Sequence, residues 1–395
     1  MNNRLIFVSG GHRFISGHSG LALRTRLTFD LLGEAWHGKE KHLITAPCEE
    51  LLEIATRNGW KVHFIKPYSE GSSAILRVMT RWVVFALAHF SKRAGYKAMT
   101  MLGGSDMPPE AVCNIINTLQ PATVWLSRCD LLPIAGWVST ASSRIIVDTN
   151  DSVYNLVRCY RPRAKLCGLT GWTNRMMAKR IKVLELELAE RCESVIAISI
   201  DDLNYFRSAT IKKVELEESC IITPPLLRFD QNVNDFDIGY IGGPHLGSIS
   251  AAVNLLKIAS RPELNKIRFA IAGGVCESLS EYIRSNNVAL VGRVADANHF
   301  LCRCRQVVLW SSGETGTSVK FQESILSGVT VLANAPAARW SAAVSGRDYL
   351  LCDNEDTLVR LILARSTLAP SPLRDVSIRE TLVKRFSFLS CGGGI

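Results

Sequence analysis

The sequence predicts an α/β protein made of two Rossmann-like, doubly wound parallel-sheet domains. Three observations carry this. Short apolar or β-branched runs alternate with helix-patterned segments along most of the 395 residues, as βα units of a parallel sheet do. Several of these runs end in glycine turns, at Gly10-Gly11, Gly242-Gly243, Gly273-Gly274 and Gly292. The length suits two domains of ordinary size, each with its own core.

In the first half, Arg4 to Ser9 reads as a strand entering a glycine turn, and Leu21 to Gly33 as a helix with leucines at helical spacing. The intervening GGHRFISGHSG is not the dinucleotide fingerprint, whose first two glycines are two apart, which argues against a dehydrogenase. Strands follow at His42 to Ala46 and Val62 to Pro67, with a helix at Glu49 to Asn58 between them. Residues 74–97 hold Arg77, Arg81, Lys92, Arg93 and Lys97 among apolar residues and no acid. Such a helix suits a membrane interface, and equally a core-facing helix with basic residues outside. Pro109 to Leu119 reads as a helix, Thr123 to Leu126 and Arg144 to Val147 as strands, the second ending in Asp148-Thr149-Asn150-Asp151. Residues 157–182 carry eight Lys and Arg, again without an acid, and read as a mobile basic surface or a solvated face. Leu184 to Ser199 is a helix running into a strand, with Asp201-Asp202 expected to cap the next helix. The linker is placed at 223–234, where Pro224-Pro225 stiffens the chain.

The second half repeats the pattern. Strands are expected at Asp237 to Ile241, Ile267 to Ala272, Val288 to Val291, Val307 to Trp310, Thr330 to Ala333 and Ser345 to Cys352. Helices fall at Ser248 to Ala259, Asp296 to Cys302, Asp356 to Ala364 and, near the end, Arg379 to Phe388.

Composition narrows the function classes. With 47% hydrophobic and 21% charged residues the chain is globular rather than disordered. Its twelve cysteines form no repeated pair pattern, and Cys302 and Cys304 lack zinc-ligand spacing, so a reduced, cytoplasmic chain is expected. No signal peptide is read ahead of Leu5 to Val8, and Trp82 to Phe90 falls short of the roughly 20 residues needed to span a bilayer. The formal charge of +10 asks for an anionic partner. No nucleic-acid-reading motif accompanies it, so nucleic acid is not expected.

The stretch Val307 to Ala335 carries the chemistry. A loop at Ser311 to Thr317, rich in glycine and hydroxyl residues, leads into a helix opening with Thr317 and Ser318, with Lys320 one turn in. A helix N-terminus with exposed N–H groups, hydroxyls and a lysine is an anion site. Glu323, three residues on and on the same helix face, suits the diol of a ribose. Together they point to a nucleotide carrying a sugar. A plain strand–loop–helix–strand unit with a solvated Lys320/Glu323 pair also fits the spacing.

This stretch resembles the donor-binding segment of retaining glycosyltransferases of family 4, which have the GT-B fold of two Rossmann-like domains facing a cleft. The family reads G-T-x-x-K-x-x-E followed by an apolar helix and G-x-x-V, met here by Gly316, Thr317, Lys320, Glu323, Gly328 and Val331. A further family acid lies about eight positions before the last glutamate, and Glu314 stands nine before Glu323. The resemblance implies that Lys320 and the Thr317 and Ser318 backbone take the diphosphate, Glu323 the ribose and Glu314 the donor sugar. It also implies donor contacts at Gly20, Arg24 and Gly243, and backbone contact with the base at Gly292, Arg293 and Val294. Where many members carry a histidine facing the sugar, this chain has Asn150. An amide hydrogen-bonds a sugar but cannot shuttle a proton, so any histidine role would pass to His12 or His18.

The expectation is therefore a metal-independent, retaining glycosyltransferase without a cofactor. It would move a sugar from a nucleotide-diphosphate sugar to a hydroxyl of a glycan or lipid-linked glycan, in bacterial-type surface polysaccharide or glycoconjugate synthesis. Residues 1–225 would form the acceptor-side domain, 226–368 the donor domain and 369–395 a short crossover. Peripheral contact with an anionic membrane would run through 74–97 and 158–182. The alternatives are a non-catalytic relative that binds nucleotide or glycan, and a nucleotide-sugar epimerase.

Overall fold

The computed structural model describes residues 4–10, 20–36, 40–67, 84, 87–88, 90–103, 107–138, 143–160, 169–217, 235–244, 246–311 and 318–375. These group into two units, within Met1–Ser219 and within Cys220–Ser377. Each unit holds one wholly parallel sheet.

The first unit contains β1 (Arg4–Val8), β2 (Glu40–Thr45), β3 (Trp60–Phe64), β4 (Thr123–Leu126), β5 (Arg144–Asp148), β6 (Ser194–Ala197) and β7 (Val214–Leu216). They lie in the order β3-β2-β1-β4-β5-β6-β7, every pair parallel. The order reverses between β1 and β4, and ligands of open α/β sheets bind beyond the strand ends at such a point. Helices are α1 (Gly20–Ala35), α2 (Glu49–Arg57), α3 (Lys92–Gly103), α4 (Pro109–Leu119), α5 (Val153–Tyr160), α6 (Leu169–Ala189) and α7 (Ile200–Arg207).

Parallel strands covered on both faces need apolar residues on both, and β1 supplies them with Leu5, Ile6, Phe7 and Val8, all 0% exposed. Phe7 meets Phe29 of α1 edge to face at 5.5 Å, and Phe29 stacks on Trp60 of β3 at 4.5 Å. The opposite face packs Ile6, Val8, Val124 and Leu126 with Val112 and Ile116 of α4 and Ile181, Leu184 and Leu188 of α6. Each such side chain contributes about 1.5–3 kcal/mol by leaving water.

The second unit contains β8 (Phe236–Ile241), β9 (Phe269–Ala272), β10 (Val288–Gly292), β11 (Cys304–Leu309), β12 (Thr330–Ala333) and β13 (Leu350–Leu351). Its order is β10-β9-β8-β11-β12-β13, again all parallel, with the reversal between β8 and β11. The helices are α8 (Leu246–Ala259), α9 (Ala297–Cys302), α10 (Val319–Leu326) and α11 (Glu355–Leu363). Strand periodicity divides its core. Val308 and Leu332 face one way, toward Leu255 of α8 and Leu358 of α11. Val307, Leu309, Val331 and Ala333 face the other, toward Phe300 of α9 and Phe321 of α10.

The predicted fold class stands: two Rossmann-like α/β sheets of seven and six strands. Four details differ. The strand expected over Ser345 to Cys352 shrinks to Leu350–Leu351, because Gly346 takes φ +82° and Asp348 turns back to accept the Val344 N–H at 2.8 Å. The cap of α7 is Ser199, whose hydroxyl accepts the Asp202 N–H, so Asp201 and Asp202 lie in the first turn. In the 157–182 stretch the described parts are helical, in α5 and α6. The 3₁₀ stretch Cys129–Gly136 and strand β7 were not expected. Most of the 74–97 helix, the 223–234 linker, His12, His18 and the helix at 379–388 lie outside the described residues.

Candidate nucleotide site

In the second unit, β8, β9 and β10 end at bare backbone. Gly273 has φ +95°, and a Cβ there would lie 2.3 Å from the Gly242 carbonyl oxygen. Only glycine lets these two strand ends come so close. The Gly273 N–H donates to the Gly292 carbonyl at 2.7 Å, joining β9 to β10. Gly292 itself has φ +80° with open space where a Cβ would project. Arg293 beside it points its guanidinium to Glu277 at 2.8 Å, both side chains exposed, while Val294 packs on the core that holds Phe321 of α10.

Across the reversal point, the segment after β11 is anchored at both ends. Asn334, following β12, accepts the Ser311 N–H at 3.0 Å and donates to the Ser311 carbonyl at 2.7 Å. Ser318 caps α10, its hydroxyl accepting the Phe321 N–H at 3.4 Å, and its own N–H donates to the Arg339 carbonyl at 3.2 Å. Glu314, Gly316 and Thr317 lie between these anchors, outside the described residues.

Lys320 projects from the first turn of α10 to the first turn of α8. Its Nζ donates to Ser248 Oγ at 2.6 Å and stands 5.7 Å from the centroid of the Tyr240 ring. Glu323, partly buried, lies one turn further along the helix. Burial pushes its carboxyl up to about 7, the Lys320 ammonium pulls it down, and Asp296 at the cap of α9 raises it again. The site thus offers a cation, the capped start of α10, and a carboxyl poised between donor and acceptor near neutral pH.

Gly243, Gly292, Val294, Ser318, Lys320 and Glu323 are therefore gathered by the ends of β8 to β11 and the start of α10. Of the remaining predicted residues, Gly20, Arg24 and Asn150 sit in the first unit, and two of them engage the protein itself. Arg24, 2% exposed, donates through Nε and Nη2 to Asp148 Oδ1 at 3.1 and 3.0 Å, and Thr28 donates to Oδ2 at 3.1 Å. This buried pair pins α1, which begins at Gly20, to the end of β5. Asn150, 5% exposed with φ +49°, donates its amide to the Ser127 carbonyl at 2.6 Å, bridging the ends of β5 and β4.

Sequence reasoning missed Ser248, Tyr240 and Asn334. Ser248 follows a glycine turn at a helix start, a signal present in the sequence. Tyr240 reads simply as a core strand residue, and the Asn334 partnership depends on strand register.

No protein-family model and no curated protein sequence matches the chain. Solved structures do match in fold. HepE of Anabaena in complex with UDP-glucose is similar at TM-score 0.60 and 11% identity over 98% of each chain. Sucrose-phosphate synthase of Thermosynechococcus elongatus is similar at 0.57 and 12%, covering 98% of this chain and 94% of that one. A UDP-forming α,α-trehalose-phosphate synthase of Burkholderia vietnamiensis is similar at 0.57 and 10%, over 98% and 95%. At such identities the likeness is one of fold.

Proposed function

We propose that the protein is a glycosyltransferase that uses a nucleotide-diphosphate sugar as donor and a hydroxyl of a glycan or lipid-linked glycan as acceptor. The observation that carries this is Lys320, held at the reversal point of the second sheet one helical turn before Glu323. Proteins of the same fold with UDP or UDP-glucose bound support the donor class.

In this reading Lys320 and the backbone N–H groups at Thr317 and Ser318 receive the diphosphate, and Glu323 accepts hydrogen bonds from the ribose diol. Gly292, Arg293 and Val294 present backbone to the base, with Gly243 beside them. Glu314 meets the donor sugar. The bond between the anomeric carbon and the diphosphate oxygen breaks, and a bond forms from that carbon to the acceptor oxygen. The acceptor proton passes to the departing diphosphate. Preorganised N–H donors and an ammonium stabilise charge growing on the leaving group, so the reading assigns no metal. Retention of configuration and a role in surface polysaccharide or glycoconjugate synthesis follow from the sequence resemblance. Residues 1–225 would serve the acceptor.

Two further features belong to this proposal. Arg180 of α6 donates to the Ala88 carbonyl at 3.2 Å, so the two acid-free stretches meet. In the first of these stretches Leu87 and Phe90 are exposed, Phe90 by 90%. Cations beside exposed apolar side chains suit peripheral contact with an anionic bilayer. Cosedimentation with phosphatidylglycerol vesicles but not phosphatidylcholine vesicles is expected, and Phe90→Ser should weaken it.

The donor is tested by thermal shift with UDP, GDP, ADP and CMP and their sugar conjugates, since a ligand that binds only the folded state raises its stability. A shift selective for one nucleoside diphosphate supports the reading, and silence across the panel opposes it. A non-catalytic nucleotide-binding relative is favoured by one observation, the commitment of the Asn150 amide to a backbone carbonyl. Selective binding with no sugar transfer to any glycan acceptor would decide for it. An epimer formed from donor alone would instead decide for an epimerase.

A further inference from the structure

Lysine is a poor anchor for a phosphate unless it is held, because its four-carbon stem forfeits rotamer freedom when it binds. Around Lys320 the second unit has a built support. Tyr240, on β8 and 3% exposed, turns its ring toward the ammonium at 5.7 Å. The same residue's hydroxyl donates to the Ser248 carbonyl at 3.1 Å, fixing the first turn of α8. Ser248, 1% exposed, accepts the Lys320 hydrogen bond at 2.6 Å. Gly242 makes room for this, since a Cβ there would stand 2.9 Å from Tyr240 Cε1 and 3.1 Å from Ser248 Cβ.

We propose that Tyr240 and Ser248 are positioning residues that preorganise Lys320 for the diphosphate. Neither touches the ligand. Both supports are neutral, so they fix where the ammonium stands without cancelling its charge, and the ring face adds a cation–π attraction. The proposal rests on the reading that Lys320 meets the diphosphate, and it separates what that support gives to phosphate from what the site gives to the nucleoside.

The test is calorimetric titration of the full chain with UDP, GDP and ADP and with uridine, guanosine and adenosine. For the pair that binds, Tyr240→Leu is expected to weaken the diphosphate about two- to thirtyfold, the span of one cation–π contact, and Ser248→Ala about ten- to a hundredfold, the span of one hydrogen bond to a charged group. Nucleoside affinity should stay within about twofold, since that part of the site keeps its contacts, which also shows that the variants are folded. Tyr240→Phe keeps the ring and loses only the hydroxyl, so it should fall between wild type and Tyr240→Leu. If Lys320→Ala loses diphosphate affinity while Tyr240→Leu and Ser248→Ala bind as wild type, the positioning role is overturned and the Lys320 reading stands. If Lys320→Ala also binds as wild type, or no nucleoside diphosphate binds at all, the underlying reading fails and this one with it. A loss of nucleoside and diphosphate affinity in equal proportion would overturn positioning in favour of a purely structural role.

Discussion

Glu323 carries the sharpest single-residue consequence. Its carboxyl is raised to about 7 by burial, so the folded chain keeps a proton that the unfolded chain has released. The sign follows from linkage: the stabilisation is complete below the ordinary glutamate range and is lost as pH rises through about 7. Glu323→Gln has no such titration. Its melting temperature should match wild type near pH 5 and exceed it near about pH 8, where wild type must bury a charge. Ligand binding should run the opposite way. An ionised carboxylate is the better acceptor for a diol, so wild-type nucleoside affinity should rise between about pH 6 and 8, and the Gln variant's should stay flat. At the other end of the chain, Asp148 faces a buried Arg24. Asp148→Ala leaves that guanidinium without its carboxylate and should cost roughly 3–5 kcal/mol in urea unfolding, with Asp148→Asn costing less. That Lys320 and Glu323 share one helix was legible in the sequence because their spacing is local. The placement of Arg24 was not, because its partner lies 124 positions away.

At the scale of elements, the site depends on how strand ends and helix starts are secured. Asn334 makes two hydrogen bonds to the Ser311 backbone. Asn334→Ala leaves both groups buried without that partner, which should cost about 1–3 kcal/mol each and weaken diphosphate binding. Gly273→Ala meets both a positive φ and a carbonyl oxygen at 2.3 Å. It should lower the melting temperature sharply, whereas a change at the exposed Arg293 should not. Most strands and helices were legible, since apolar runs of four to six residues ending in glycine leave few other readings. The exceptions are instructive. Residues 345–352 look apolar enough for a strand, but Asp348 folds back on Val344 and stops it. In α7 two acids follow the capping serine, and composition favours the acids while geometry selects Ser199. Asn334 could not be read at all, because its value comes from the pairing of β11 with β12.

For the whole molecule, two parallel sheets of the same design each reverse strand order once, and each gathers functional candidates just beyond the reversal. Solved structures that share only 10–12% of the sequence share this fold. What differs is how the points are furnished. The first holds a buried ion pair and an amide committed to backbone, the second a supported lysine and a raised glutamate. The central claim is that the second point receives a nucleoside diphosphate through Lys320. The most direct measurement is calorimetric titration of wild type and Lys320→Ala with UDP, GDP and ADP, beside the matching nucleosides. The account predicts that one diphosphate binds wild type more tightly than its nucleoside, and that Lys320→Ala erases most of this advantage while keeping the nucleoside. Equal diphosphate affinity in wild type and Lys320→Ala would contradict it.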